Sequence, residues 1–312
     1  MITLPPLPCY LNGEFIRLPD AKVSVMDRGF IFGDGVYEVL PVYSGVPFRF
    51  DHHMARLERS LRELRIAPPL TRKEWLEVTT KLIASYAQLA RPEGQFDLKK
   101  PENTPDQLIY IQVTRGVALR DHVMLENIAP TVFVMANALK QPSDEAREKG
   151  VACVSADDFR WEKGHIKSTS LLGAVFARQI SFDADAVETL MFRDGFLTEA
   201  AASNVWIAKD GKLLGSPKDN LVLEGIRYGL FDEICREIGV ELVLRRISRE
   251  EVLNADEILL TSATKEVLAV TILDGKPVGK NDNIGKPGPI GKRLYAGYQE
   301  AKKREIAANV GK

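Results

Sequence analysis

The chain has 312 residues, 45% of them hydrophobic, enough to bury the core of one large or two medium domains and too many for a disordered chain. Its 42 basic and 43 acidic residues leave a formal charge of −1, so no overall field favours nucleic acid or an anionic membrane, and the expected partner is a small molecule. Cys9, Cys153 and Cys235 stand far apart, with neither metal-ligand spacing nor a disulfide framework, so no metal is expected.

The opening Met1-Ile-Thr-Leu-Pro-Pro lacks a basic region and an apolar signal-peptide core, and no apolar run reaches the roughly 18 residues of a membrane span. A cytoplasmic, soluble protein is expected. Asn12-Gly13, between Cys9–Leu11 and Glu14–Arg17, predicts a hairpin. Val36–Val42 and Pro47–Phe50, around Ser44-Gly45, repeat the pattern. From His53, Leu57, Leu61 and Leu64 at i, i+4 and i+7 predict a helix ending before Pro68-Pro69. Thr71 and Glu74 form a capping-box pattern ahead of a second helix through Trp75, Leu76, Leu82 and Ile83.

Arg91 to Pro105 is polar, rich in Pro, Gly and charge, and reads as an exposed loop. Leu108–Thr114 and Thr131–Met135 are strand-like, separated by the segment with Arg115, Arg120, His122 and Met124. Ala138-Leu-Lys-Gln-Pro-Ser143 reads as a linker, giving an N-terminal domain over 1–137, a linker over 138–143 and a C-terminal, cofactor-binding domain over 144–312. In the second half, strands are expected at Val151–Ser155, Val187–Phe192, Val205–Ala208, Asp256–Thr261 and Val267–Ile272, with turns at Asp194-Gly195 and Asp210-Gly211. Helices are expected at Thr169–Ser181, Ile226–Ile238 and, after the Ser248/Glu251 cap, Arg249–Asn254. The expected fold is α+β: two domains, a mostly antiparallel second sheet, and a cleft between them.

Three stretches carry chemistry. In Asp158–Gly173, Ile166 and the following Leu171, Leu172, Ala174 and Val175 enclose Lys167 in apolar sequence, and desolvation would free its amine as a nucleophile toward carbonyls. A lysine at a strand end otherwise snorkels to water. Phe196–Trp206 puts Glu199 at a strand-turn beside small residues, and Leu223-Glu-Gly225-Ile226-Arg227 opens an amphipathic helix on a glycine, leaving N–H groups for an anion. An amine, a carboxylate and a phosphate cradle are what pyridoxal phosphate requires.

Ile166-Lys167-Ser168, Thr198-Glu199 with Ser203-Asn204-Val205, Leu223-Glu-Gly-Ile226 and Asp27-Arg-Gly-Phe-Ile-Phe-Gly-Asp-Gly-Val-Tyr-Glu38 together resemble the fold-type-IV pyridoxal-phosphate enzymes. That family includes D-amino acid aminotransferases, branched-chain aminotransferases and aminodeoxychorismate lyases. The likeness runs in order from about Leu11 to about Val278 and is strongest to the D-amino acid aminotransferases.

The resemblance implies that Lys167 holds pyridoxal 5'-phosphate as a Schiff base and moves the substrate proton, and that Glu199 pairs with the pyridine nitrogen. It implies that Arg56 binds the cofactor phosphate, although five arginines between Arg49 and Arg65 make composition silent on that choice. Backbone N–H groups of Ile226, Arg227, Ser262 and Ala263 would bind the same phosphate, and Leu223 would pack on the ring. Tyr37, Arg120 and His122 would form a carboxylate trap, with the Arg-x-His pair supplied by the partner subunit of a homodimer with shared active sites. Arg120 and His122, two apart, would project to one side of an extended segment; a charged surface loop is the other reading.

The sequence departs from the family at Ala200-Ala201-Ala202, where Gly-Ser-Ser is usual, at Ala263, where threonine is common, at His165, often acidic, and in the length of Arg91–Pro105. Altered cofactor affinity or substrate range is the expected consequence. The reading is therefore a two-domain, fold-type-IV enzyme with its cofactor in the interdomain cleft, transaminating D-alanine-like donors to a 2-oxo acid. A branched-chain L-aminotransferase, an aminodeoxychorismate lyase and a cofactor-binding protein without turnover are the alternatives.

Overall fold

The structure is a computed structural model describing residues 4–90 and 104–309. The chain divides into two compact units: Met1–Leu139 with Ile166–Ser170 and Lys302–Lys312, and Lys140–His165 with Leu171–Ala301.

The first unit holds a six-stranded antiparallel sheet of β1 (Pro8–Leu11), β2 (Glu14–Arg17), β3 (Gly35–Tyr43), β4 (Val46–Pro47), β5 (Gln107–Thr114) and β6 (Thr131–Ala138), in the order β2-β1-β6-β5-β3-β4. Its helices are α1 (Arg28–Phe32), α2 (Phe50–Glu63) and α3 (Arg72–Ala90). The β1–β2 hairpin turns at Asn12 and Gly13, both at positive φ (47° and 101°), the combination that suits the twist of paired strands. Ile109, Ile111 and Val113 alternate inward from β5 and meet Leu57 and Leu61, one turn apart on α2, in a single core. Each such leucine contributes about 1.5–3 kcal/mol by leaving water.

Two expectations change here. The strand expected over Pro47–Phe50 stops at Pro47, because Arg49 turns left-handed (φ 57°) and Phe50 starts α2. The expected loop Arg91–Pro105 lies outside the described residues apart from Thr104 and Pro105.

The second unit holds a nine-stranded sheet of β7 (Val151–Asp157), β8 (Glu188–Arg193), β9 (Phe196–Ala200), β10 (Asn204–Lys209), β11 (Lys212–Gly215), β12 (Leu242–Leu244), β13 (Glu257–Thr261), β14 (Leu268–Leu273) and β15 (Lys276–Pro277). Its main path is β12-β11-β10-β13-β14-β7-β8-β9, with parallel pairing of β11 with β12, β14 with β7 and β7 with β8. α4 (Asp144–Lys149), α5 (Leu172–Asp183), α6 (Arg227–Ile238), α7 (Arg249–Leu253) and α8 (Pro289–Asn309) are its helical elements. The Ser248/Glu251 capping box forms as expected. α4 and α8 lacked a legible period. α8 is started instead by a distant acid: Glu257 accepts hydrogen bonds from the Ile290 and Gly291 N–H groups at 2.8 and 2.7 Å.

The helix expected from Thr169 begins at Leu172, because Ile166–Ser170 runs extended along β3. Tyr37 N–H donates to the Lys167 carbonyl and Thr169 N–H to the Gly35 carbonyl, each at 2.9 Å. This segment and the end of α8 were expected in the domain over 144–312; their contacts place them with the first unit. At the end of α8, Glu305 accepts from the Arg49 N–H at 2.6 Å and Lys302 lies 3.8 Å from the Tyr43 ring centroid. Among the described residues no helix is long and apolar enough to cross a membrane.

Candidate active site

In the first unit, Lys167 is half-buried, its backbone N–H donates to Ser60 Oγ at 3.2 Å, and its Nζ lies 4.1 Å from the Tyr37 ring centroid. The apolar enclosure read from sequence is not its environment. Leu172 and Val175 are 69% and 60% exposed, turned outward as α5 begins, and the apolar wall beside the amine is the Tyr37 ring. Tyr37 faces away from the core on β3, its ring 6.0 Å from that of Tyr110. Burial, with a smaller effect of Tyr37, pushes the Tyr110 phenol up to about 12.

Glu38, next on β3, points the other way into complete burial. Its Oε1 accepts from Arg56 Nε at 2.7 Å, and its Oε2 accepts from Arg56 Nη2 and pairs with His53 Nδ1, both at 2.8 Å. Burial would raise this carboxyl, but the Arg56 charge and these hydrogen bonds outweigh it and hold it far below the usual carboxylate range. Arg56, expected on a phosphate, is thus gripped in a bidentate fork by a carboxylate that sequence reading had passed over. The parity of β3 was the available sign, since Glu38 falls on its buried face.

Arg120 and His122 are both exposed and share one neighbour: the Phe32 ring lies 5.5 Å from the Arg120 guanidinium and 5.3 Å from the His122 ring. Their spacing of two was expected to bring them to one side, and they meet on this ring.

In the second unit, Glu199 on β9 is buried. Its Oε1 accepts from Arg160 Nη1 at 2.5 Å, and its Oε2 accepts from Asn204 Nδ2 and the Leu223 N–H, both at 3.2 Å. Arg160 also grips Asp158 through Nε and Nη2, each at 2.9 Å, and Thr198 Oγ1 donates to Asp158 at 2.8 Å. Burial opposes both charges, yet the pairing wins: the Asp158 carboxyl is held below its ordinary value and the Arg160 guanidinium above. Neither was assigned a role from sequence, though they stand two apart, so alternation could have placed them on one side.

Leu223 is half-buried and its carbonyl accepts from Asn204 Nδ2 at 2.9 Å. Gly225 has no room for a side chain, since a Cβ there would lie 2.1 Å from Asn204 Oδ1. Ile226 caps α6 without any side-chain cap, and the buried Arg227 sends its guanidinium to the Tyr298 hydroxyl at 2.8 Å, so what this helix start offers an anion is main chain. Ser262 and Ala263 lie in the turn after β13, where Ser262 Oγ accepts from the Lys265 N–H at 3.1 Å. Lys265 Nζ and Ser203 Oγ donate to buried Glu188 at 2.9 and 2.8 Å, joining that turn to the one after Ala200–Ala202. His165 has Nδ1 3.4 Å from the Asn220 carbonyl.

Taken unit by unit, the groups suit parts of pyridoxal phosphate: in the first, a lysine amine beside an aromatic ring; in the second, a buried carboxylate held by a cation and a helix start with neither a side-chain cap nor space for a Cβ. Among the described residues no group of three or more His, Cys, Asp or Glu is placed to hold a metal.

The amino-transferase class IV family profile matches residues 35–273. A D-alanine aminotransferase of Bacillus licheniformis is 35% identical over 299 residues, 96% of this chain and 98% of that one. The chain belongs to the class IV aminotransferases. Another member, a D-alanine aminotransferase of Staphylococcus aureus (strain MSSA476), is 34% identical over 93% of this chain and 96% of its own. Among solved structures, the fold is shared with a T.th. branched-chain amino acid aminotransferase complexed with N-(5'-phosphopyridoxyl)-L-glutamate, with a TM-score of 0.81 and 23% identity over 97% of this chain and 96% of that chain. A branched-chain aminotransferase of Thermoproteus uzoniensis with norvaline also has a TM-score of 0.81, at 20% identity over 96% and 97% of the two chains.

Proposed function

We propose that this class IV aminotransferase transfers the amino group of D-alanine-like D-amino acids to a 2-oxo acid, with Tyr37, Arg120 and His122 taking the substrate carboxylate. The observation that carries the D-reading is the convergence of Arg120 and His122 on one ring, exposed together as a paired cationic and imidazole grip. The near full-length likeness to D-alanine aminotransferases supports the same choice.

Pyridoxal 5'-phosphate is the family's cofactor, and when bound it supplies an electron sink for the charge that develops at the substrate Cα. Lys167 Nζ anchors it and carries the proton to and from Cα, so one amine serves as tether and base. Glu199, paired with Arg160, supplies the negative charge that keeps the pyridine nitrogen protonated. Main chain at Ile226, Arg227, Ser262 and Ala263 binds the phosphate, Leu223 packs on the ring, and Glu38 holds Arg56 in one orientation for the same anion.

The proposed assembly is a homodimer in the cytoplasm. Leu172, Val175 and Phe176, 69%, 60% and 59% exposed on one helix, leave an apolar stripe that suits burial against a second copy. Single-turnover spectra with D- and L-alanine, glutamate and leucine test the substrate reading. Cofactor conversion by D-alanine and not by L-leucine is expected; a preference for L-leucine overturns the D-reading in favour of a branched-chain enzyme.

A further inference from the structure

Arg120 and His122 belong to a segment without regular secondary structure between β5 and β6, yet a carboxylate grip needs both side chains held still. Fixing a long arginine in water costs conformational entropy that an exposed loop does not repay by itself. The α1 region supplies the missing constraint. The Phe32 ring, at the end of α1, has the His122 ring 5.3 Å away and the Arg120 guanidinium 5.5 Å away. The Arg28 guanidinium lies 4.8 Å from the same ring centroid. Arg28 is 3% exposed, with Nε on Asp34 Oδ2 at 2.8 Å and Nη1 on the Asp121 carbonyl at 2.5 Å. Asp121 lies between Arg120 and His122, so the main chain between the two gripping residues is pinned while one aromatic ring lies against both side chains.

We infer that Phe32, backed by Arg28, is the positioning residue that orients Arg120 and His122 for the substrate carboxylate. This rests on the D-amino acid reading, in which those two residues contact substrate; Phe32 acts through them. A carboxylate contact made equally in ground and transition states affects binding and leaves turnover nearly alone, which separates this role from general damage to the fold.

The test compares Phe32→Leu, Phe32→Tyr, Arg120→Ala and the double variant Phe32→Leu/Arg120→Ala as holoenzymes, with D-alanine and 2-oxoglutarate. Phe32→Leu keeps apolar volume but removes the ring; it is expected to raise the D-alanine KM about tenfold, with kcat within about twofold and the cofactor absorbance unchanged. Phe32→Tyr restores the face and is expected to match wild type. The double variant should fall short of the sum of the two single effects, because the ring acts in part through Arg120 and only the part that acts through His122 remains to be lost. If Arg120→Ala raises KM while Phe32→Leu leaves it unchanged, or if the two effects add in full, the inference is wrong and the substrate reading stands. If Arg120→Ala itself leaves D-alanine unaffected, the substrate reading fails and takes the inference with it. Should Phe32→Leu fail to fold, Phe32→Met carries the same expectation.

Discussion

Arg160 donates from Nη1 to Glu199 Oε1 at 2.5 Å while its Nε and Nη2 hold the two oxygens of Asp158 at 2.9 Å each. One guanidinium is therefore shared by two acids that are 8% and 1% exposed in their side chains, and Arg193 Nη2 adds a second positive charge 3.5 Å from Asp158. Removing one partner of such a buried group strands the other charge, which is why Arg160→Met is expected to destabilise the protein by about 3–5 kcal/mol. Urea unfolding checks the cost, and spectral titration of the bound cofactor checks whether Glu199 keeps its place. Wild-type stability in the variant would mean that Glu199 does not depend on this pairing.

Glu199→Gln keeps the shape and removes the charge. The expected outcome is a kcat at least about tenfold lower with KM little changed, because the lost interaction matters most where charge develops during the reaction. Steady-state kinetics with D-alanine measures both constants. An unaltered kcat would assign the ring nitrogen to another residue.

Lys167→Ala is expected to retain weak cofactor binding through the main-chain phosphate contacts and to lose transamination almost completely, as tether and base vanish together. In the wild type, borohydride reduction followed by peptide mapping should place the cofactor on Lys167. An adduct on Lys163 or Lys140 would refute the assignment.

Acid should unfold the first unit through Glu38. Burial raises its carboxyl, but Arg56 and His53 more than offset this, so the folded value lies well below the roughly 4.3 of an unfolded glutamate. A depressed folded value means that the unfolded chain binds the proton first, so this contribution is complete above about pH 5 and is lost as pH falls toward the folded value. Asp34, half-buried against Arg28 and Arg115, shifts in the same direction: burial raises it and the two arginines more than offset this. Urea midpoints at pH 7 and 5 should be nearly equal and the midpoint at pH 3.5 lower, and Glu38→Gln should flatten that fall at a lower starting stability. An equal slope in the variant would locate the acid sensitivity elsewhere.

Much of this fold was legible in local sequence because its signals are local. Asn12-Gly13 adopts the two positive φ values that a hairpin turn needs, Thr71 and Glu74 exchange hydrogen bonds at the start of α3, and Leu57 and Leu61 line one face of α2. The family's motifs are equally local, and they single out Lys167, Glu199 and Gly225 in the sequence. At Gly225 the structure adds a packing reason the sequence did not show, since Asn204 occupies the space a Cβ would take.

What the sequence determined by itself was the set of candidate reactive groups and the turns, caps and helix faces around them, all set by residues within about one or two turns of each other. Tertiary structure alone decided their partners. It gave Glu38 to Arg56, Arg160 to Glu199, Glu257 to the start of α8 and Phe32 to Arg120 and His122, pairs separated by 18 to 90 positions. It also laid Ile166–Ser170 along β3, replacing the expected apolar enclosure of Lys167 with the Tyr37 ring. The physical reason is that a buried charge selects a counter-charge by distance in the folded chain, and no local period records that distance.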